Sequence, residues 1–150
     1  MPTSPRAPIR VLIVDGDPRV GRALGRLLQA AGDVTVVGTA SEAGAVLALA
    51  GRLQPAVAVV DVRTARLDGL AVTRSLRAEL PELQVVAVSV YGLWRDEALA
   101  AGACQFLLKD ASRAALRTAI RLAAQGQCQV PAPAPGGAES VPPVPAVQRA

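Results

Sequence analysis

Short aliphatic runs alternate with segments of helical periodicity along most of this chain. The predicted strands are Ile9–Val14, Val34–Ala40, Ala56–Val60, Val85–Val90 and Gln105–Leu108. Nearly every position in these runs is apolar, which is typical of strands buried on both faces of a parallel sheet. Such a sheet needs helices on both sides, connected by right-handed crossovers.

A helix is predicted after each strand, because apolar residues recur three and four positions apart. Asp17, Ser41 and Ser112 are the predicted N-caps, since their side chains accept hydrogen bonds from free backbone N–H groups. The predicted helices run from Pro18 to the stop at Gly32, from Ser41 to about Ala50, over Gly69–Leu80, from about Leu93 to Ala101, and from Ser112 to about Ala123. Five strand–helix repeats predict one doubly wound α/β domain over residues 9–126.

Proline is concentrated at both ends of the chain. Residues 1–8 are predicted to be a loose leader, and residues 127–150 an extended or disordered tail that contains six prolines. Proline lacks a backbone N–H and cannot continue a helix. Truncation at Gln127 is therefore expected to leave the stability unchanged.

The composition narrows the functional classes. The chain has 150 residues, of which 51% are hydrophobic, and this is enough for one domain with a sizeable core. It has no His, which excludes His-based acid–base catalysis, phosphohistidine chemistry and imidazole metal sites. Aromatic residues make up only 2%, which argues against a surface that stacks nucleic-acid bases.

Charge, cysteine content and hydropathy exclude further classes. The net charge of +4 is spread over scattered arginines, and no recognition helix follows Gly126, so we expect no sequence-specific DNA binding. Cys104 and Cys128 are not expected to form a disulfide framework or a zinc site, since the chain has neither a CxxC motif nor His. No apolar run approaches the roughly 20 residues of a membrane span, and Met1–Pro8 lacks a signal-peptide core. A soluble protein of the reducing cytoplasm is predicted.

Polar residues interrupt the aliphatic runs where the strands end. Asp15 follows the first strand, Asp61 the third, Ser89 closes the fourth and Lys109 follows the fifth. Ligands of parallel sheets bind beyond the carboxyl ends of the strands. Two carboxylates and a hydroxyl there suit Mg²⁺, and the lysine suits an anionic partner.

These residues carry a family resemblance across nearly all of residues 9–126. The matching stretches are Val11–Asp15, Pro55–Val62, Leu67–Leu70, Val86–Tyr91, and Ala101–Ala103 with Leu107–Asp110. Together they resemble the CheY-like receiver domain of bacterial two-component response regulators, and most of all the receivers that precede LuxR-type helix-turn-helix outputs. The resemblance implies a five-stranded sheet of order 2-1-3-4-5 with five helices. We expect this chain to act without an output domain of its own.

The resemblance also implies a mechanism. Asp61 would accept a phosphoryl group from a sensor histidine kinase. The chain would not be an enzyme, except that it would catalyse its own phosphorylation and dephosphorylation. Mg²⁺ would be held by Asp15, Asp61 and the backbone carbonyl of Arg63. Ser89 and Lys109 would bind the phosphoryl oxygens, and Phe106 would be an aromatic switch that moves inward when Ser89 is recruited.

The sequence departs from the family pattern in three places. Gly16 stands where a second acidic residue usually contacts the metal, so Mg²⁺ binding is expected to be weakened. Asp17 is an alternative ligand, although its position before Pro18 favours an N-cap. Thr64-Ala65-Arg66 replaces the usual Met-Pro-Gly after Asp61, and Val90 replaces a small residue beside Ser89, where it could crowd phosphoryl access.

Alternative functions remain open at this point. A degenerate receiver would act without phosphate as an interaction or dimerisation module, whereas a competent one would signal to an unidentified downstream protein, as a monomer or a homodimer. A flavin mononucleotide carrier could share this strand order. Asp15 and Asp17, however, put negative charge where the flavin phosphate would bind.

Overall fold

The structure, a computed structural model, describes residues 7–130. Most of the predicted leader and residues 131–150 of the predicted tail lie outside the described residues. The strands are β1 (Ile9–Val14), β2 (Val34–Ala40), β3 (Val57–Asp61), β4 (Gln84–Ser89) and β5 (Gln105–Leu108). The helices are α1 (Pro18–Gln29), α2 (Ala43–Leu53), α3 (Gly69–Glu79), α4 (Arg95–Ala100) and α5 (Arg113–Ala124), with a 3₁₀ turn at Gly92–Trp94.

The five strands form one parallel sheet in the order β2-β1-β3-β4-β5. The chain moves from β1 to one edge of the sheet, returns past β1 to β3, and then proceeds to the other edge. This arrangement confirms the predicted fold class and strand order. It also puts β1 and β3 side by side at the centre of the sheet, with their carboxyl ends at the same edge.

The core consists of two layers, one on each face of the sheet. Successive side chains of a strand point to opposite faces. Thus Leu12 and Val14 pack with α2, α3 and α4, while Val11 and Ile13 pack with α1 and α5. All four side chains are buried, which is why the run from Val11 to Val14 is apolar throughout instead of alternating.

Helix starts follow the predicted capping in two cases and differ in a third. Asp17 caps α1 by accepting from the N–H of Arg19, and Ser112 caps α5 by accepting from the N–H of Ala115. The predicted cap at Ser41 is wrong, because α2 begins at Ala43 after Glu42, whose side chain makes no capping hydrogen bond. The other element bounds differ from the prediction by at most a few residues, as expected where helix ends are set by tertiary contacts.

The cysteines form a disulfide with each other, so the expectation that they would not build a disulfide framework is wrong. Cys104 lies just before β5, and Cys128 lies just after α5, with their Cα atoms 4.4 Å apart. Gly126, at a positive φ of 75°, turns the chain back toward the sheet after α5. The contact between the cysteines arises from the packing of α5, and no local spacing motif encodes it.

Residues 127–130 continue in contact with the domain instead of leaving it. The backbone N–H of Gln129 donates to the carbonyl of Cys104 at 2.8 Å. The composition predicts that this segment, Gln127–Val130, called the strap below, belongs to the tail. The predicted domain boundaries themselves stay a prediction.

Candidate functional site

Asp15 and Asp61 lie next to each other at the carboxyl edge of the sheet. Val14 of β1 pairs in register with Val60 of β3, so the residues that follow them share one level of the sheet. Asp15 is 4% exposed and Asp61 is 3% exposed. Two carboxylates are therefore buried side by side, which is unfavourable unless a cation compensates them.

Lys109 supplies that cation from the far side of β4. Its Nζ lies 3.1 Å from Oδ2 of Asp15 and forms an ion pair with Oδ2 of Asp61. The Lys109 side chain is 29% exposed, so its aliphatic part is largely covered while the ammonium group reaches both acids. The acids and the lysine predicted from the strand ends are thus brought together.

The pKa directions follow from this crowding. Burial raises the pKa of Asp61 and the charge of Asp15 adds to the effect, while the hydrogen bond and charge of Lys109 oppose it. Burial also acts to lower the pKa of the Lys109 amine, but its hydrogen bonds to Asp61 and Asp15 outweigh burial and raise that pKa. Burial prevails at Asp61, which shares its one cation with a second anion, whereas the two anions prevail over burial at Lys109, so both pKa values are raised.

Backbone N–H groups orient the two carboxylates. Oδ1 of Asp15 accepts from the N–H of Asp17 at 2.9 Å, and Oδ1 of Asp61 accepts from the N–H of Arg63 at 3.2 Å. In both residues, Oδ2 is the oxygen that faces Lys109. The side chain of Asp17 caps α1 and pairs with Arg19 at 3.4 Å. It therefore performs the capping role that its position before Pro18 favours.

Ser89 and Phe106 are placed by β4 and β5. Ser89 ends β4, is 2% exposed, and its Oγ accepts from the N–H of Tyr91 at 3.1 Å. Phe106 lies in β5 opposite Ala87 and is buried in the layer that includes α4. Val90 is 65% exposed, so its side chain is largely turned to solvent.

Gly16 and Thr64 fit together in a way that sequence reasoning missed. A Cβ atom at residue 16 would lie 2.9 Å from Cβ of Thr64 and nearer still to its Oγ1. Thr64 is held in its loop because its N–H donates to the carbonyl of Leu67, and its Oγ1 accepts from the N–H of Arg66, both at 3.3 Å. The threonine side chain thus occupies the space that a larger residue 16 would need.

Gly69 allows α3 to approach the end of β3. A Cβ at this position would lie 2.7 Å from Cα of Val62 and closer to the carbonyl oxygen of Asp61. The N–H of Gly69 donates to the carbonyl of Val62 at 2.8 Å. Asp68, directly before it, caps α3 by accepting from the N–H of Ala71. The loop after Asp61 is therefore anchored at both ends.

Arg63 and Trp94 connect the two loops at the rim of the site. The Arg63 guanidinium lies 5.0 Å from the centre of the Trp94 ring, a cation–π distance. Arg63 also pairs with Asp68 at 3.8 Å. The pairing of a residue after β3 with one after β4 has no local sequence signal, because the 30 intervening residues include all of α3 and β4.

Residues 7–130 contain neither a cluster of metal-ligating side chains nor a membrane-spanning helix. Among these residues there is no group of three or more His, Cys, Asp or Glu side chains that could hold a metal ion. None of the helices between residues 7 and 130 is long and apolar enough to cross a membrane.

Comparison with known proteins places most of this chain in one family. The sequence profile described as "Response regulator receiver domain" matches residues 11–121. The chain is 32% identical over 121 residues to the uncharacterised transcriptional regulatory protein YxjL of Bacillus subtilis, covering 79% of this chain and 56% of YxjL. It is 31% identical over 122 residues to the transcriptional regulatory protein LiaR of the same organism, covering 79% and 57%. The chain thus spans a little over half the length of these relatives.

A solved structure agrees with the sequence matches. The signal receiver domain of the putative response regulator NarL from Mycobacterium tuberculosis superimposes with a TM-score of 0.73 at 32% identity. The match covers 81% of this chain and 99% of that one. Fold and sequence therefore point to the same family over the same residues.

Proposed function

We propose, on the premise that this chain belongs to the response regulator receiver domain family of two-component systems, that Asp61 is its phosphoryl acceptor. The family serves in phosphorelay signalling, and phosphorylation is typical of it. The observation that carries the proposal is the Lys109 ammonium group, which joins the buried carboxylates of Asp15 and Asp61 at the carboxyl edge of the sheet. An anionic acceptor beside a fixed cation is suited to a reaction that delivers negative charge.

In the proposed reaction, a carboxylate oxygen of Asp61 attacks the phosphorus of a phosphodonor. The new bond joins that oxygen to phosphorus, and the bond from phosphorus to the donor breaks, with its electron pair departing on the donor. With a sensor histidine kinase, the leaving group is the imidazole nitrogen of its phosphohistidine. Lys109 stays paired with the product phosphoryl group, whose charge of about −2 replaces the single charge of the carboxylate.

Ser89 and Phe106 are proposed to report phosphorylation to the surface. The Ser89 oxygen already accepts from the N–H of Tyr91, so its own hydrogen remains to donate to a phosphoryl oxygen. Movement of Ser89 toward Asp61 would shift the loop after β4. Phe106, on the neighbouring strand, would then move further into the layer it shares with α4.

Mg²⁺ is typical of receiver domains, and the residues present fit it with one ligand fewer than usual. Asp15 and Asp61 offer two converging carboxylates, the ligand type Mg²⁺ prefers. The backbone carbonyl of Arg63 is the proposed third ligand. When bound, the ion offsets the negative charge of the transferring phosphoryl group.

Gly16 is proposed to weaken this binding. It contributes no side-chain oxygen, and Thr64 fills the space beside it. Loss of even a supporting group commonly costs about 10–100-fold in metal affinity. We therefore expect weaker Mg²⁺ binding than in a receiver with two adjacent acids after β1.

The test is Mg²⁺-dependent labelling with acetyl phosphate, read by intact mass. The wild type is expected to gain one phosphoryl group, and Asp61→Asn none. Asp68→Asn is the matched control, because Asp68 is an exposed carboxylate on the same loop and asparagine caps helices as well as aspartate does. Equal labelling of Asp61→Asn and wild type would refute the assignment. No labelling of the wild type would favour a phosphorylation-independent interaction module.

Partners and location are proposed from the family. A sensor histidine kinase would supply the phosphoryl group, and a downstream protein or a second copy of this chain would read the change. Any acceleration of phosphorylation or dephosphorylation by the chain itself belongs to this proposal. So does a cytoplasmic location, where histidine kinases present their phosphohistidine.

A further inference from the structure

The strap covers the outer edge of β5, the last strand of the sheet. An edge strand presents unpaired N–H and C=O groups that can pair with another chain. Here the side-chain amide of Gln129 takes the place of a neighbouring strand. Its Oε1 accepts from the N–H of Phe106 at 3.0 Å, and its Nε2 donates to the carbonyl of Phe106 at 3.3 Å. With the bond from Gln129 N–H to Cys104, three polar groups of this edge are satisfied by the strap.

Polar contacts rather than a core hold the strap. Nε2 of Gln105 donates to the carbonyl of Gln127 at 2.8 Å, and Arg95 of α4 donates to the carbonyl of Val130 at 3.1 Å. Val130, the one aliphatic residue of the strap, is 73% exposed. A short segment with so little buried apolar surface opens easily on its own.

The disulfide fastens this segment covalently. Cys104 is 1% exposed in the layer beneath α5, whereas Cys128 is exposed on the strap. We propose that Cys104 and Cys128 are a thiol–disulfide redox site that takes low-molecular-weight thiols and disulfides, and that its redox state sets whether the β5 edge is covered. The cytoplasmic location proposed above would make such a disulfide transient or redox-sensing.

The chemistry is ordinary thiol–disulfide exchange and starts at the exposed sulfur. A reductant thiolate attacks Sγ of Cys128, the bond between the cysteines breaks, and Cys104 leaves as a thiolate that takes up a proton. A second thiol of the reductant then attacks the mixed disulfide, releases the oxidised reductant and frees the Cys128 thiol. Glutathione disulfide reverses both steps, with two glutathione molecules as the reduced product. Electrons and protons therefore balance in each direction.

This proposal does not require phosphorylation of Asp61. The residues involved lie at the outer edge of β5 and after α5, on the other side of β4 from Asp15 and Asp61. The experiment therefore uses the full chain without phosphodonor or Mg²⁺. Its failure would leave the phosphoryl-acceptor proposal intact, and the reverse holds as well.

The test is hydrogen exchange in the full chain, incubated either with glutathione disulfide or with dithiothreitol. Alkylation and intact mass first establish the thiol state, with no alkylated cysteine expected after oxidation and two after reduction. The amides of Phe106 and Gln129 are then expected to exchange at least about tenfold faster in the reduced protein. The amide of Val59 in the central strand β3 should exchange equally in both, which shows that the domain stays folded.

Cys128→Ser is the matched control, because serine keeps the size of the residue and the rest of the strap while removing the bond. It should exchange like the reduced wild type in both buffers. Cysteines that remain alkylatable after oxidation would overturn the proposal. So would a disulfide whose reduction changes exchange at Phe106 and Gln129 by less than about twofold. Comparison of hydrogen exchange in the oxidised and the reduced wild type tests the proposal even without the Cys128→Ser variant.

Discussion

Replacing Gly16 by aspartate is expected to strengthen Mg²⁺ binding only when the side chain of Thr64 is removed as well. The perturbation is a cycle of four proteins: wild type, Gly16→Asp, Thr64→Gly and the double variant. The first substitution adds the acidic side chain that receivers usually carry. The second vacates the space in which that side chain would lie.

The magnitude follows from the packing at residue 16. The added Cβ would lie 2.9 Å from Cβ of Thr64 and 3.4 Å from its Cγ2. The backbone and side-chain hydrogen bonds of Thr64 to Leu67 and Arg66 hinder its withdrawal. Overpacking of this kind costs about 1–3 kcal/mol. Gly16→Asp alone should therefore lose stability without gaining affinity for the ion.

The double variant should gain the Mg²⁺ affinity that Gly16→Asp alone does not. A third carboxylate ligand is expected to raise Mg²⁺ affinity by about 10–100-fold, or about 1.4–2.8 kcal/mol. Calorimetric titration with Mg²⁺ measures the affinity. Fluorescence of Trp94, the one tryptophan of the chain, gives a local readout because its ring stacks on Arg63 beside Asp61. Thermal unfolding of the same four proteins measures the packing cost.

The decisive quantity is the coupling between the two substitutions. If Gly16→Asp alone binds Mg²⁺ as tightly as the double variant, Thr64 does not block the site and the reasoning fails. Thr64→Gly alone controls for the loop, where glycine should cost about 0.5–1 kcal/mol of stability through backbone entropy and leave the affinity nearly unchanged.

Three further predictions concern the charges of the site and the strap. Lys109→Met should lower the free energy of unfolding by about 3 kcal/mol at neutral pH in chemical denaturation, since it leaves two buried carboxylates without a cation; an unchanged midpoint would contradict the pairing. Asp61→Asn should become more stable relative to wild type as the pH rises above 3.8, the ordinary Asp pKa. An acid whose pKa is raised in the folded protein contributes stability that is fully present below its unfolded pKa and is lost as the pH rises through its folded pKa. A stability difference between Asp61→Asn and wild type that does not grow over this pH range would count against the burial argument. Truncation after Gly126 should lower the melting temperature in oxidising buffer, because a disulfide closing a loop of this size contributes about 3 kcal/mol. This reverses the expectation drawn from the proline-rich composition, and an unchanged melting temperature would restore it.

Much of the fold could be predicted from local pattern. The apolar run from Val11 to Val14 indicates a strand covered on both faces, and Asp17 before Pro18 indicates a helix start, because both signals involve neighbouring residues. Ser41 shows the limit of this reasoning, since a good capping residue near a helix start did not become the cap. Asp15, Asp61 and Lys109 could also be predicted as site residues, because each follows a parallel strand and the carboxyl ends of parallel strands meet at one edge of the sheet.

Contacts between distant residues were decided by the tertiary structure. Lys109 reaches Asp15 across 94 positions of the chain, Thr64 takes the space beside Gly16, and Cys128 meets Cys104 only after α5 has packed on the sheet. The sequence alone determined which residues are strand, helix or polar strand end, because those preferences act over a few residues. Which side chains touch depends on how the crossovers stack the elements, and that is settled only when the whole sheet and its two helical layers have assembled.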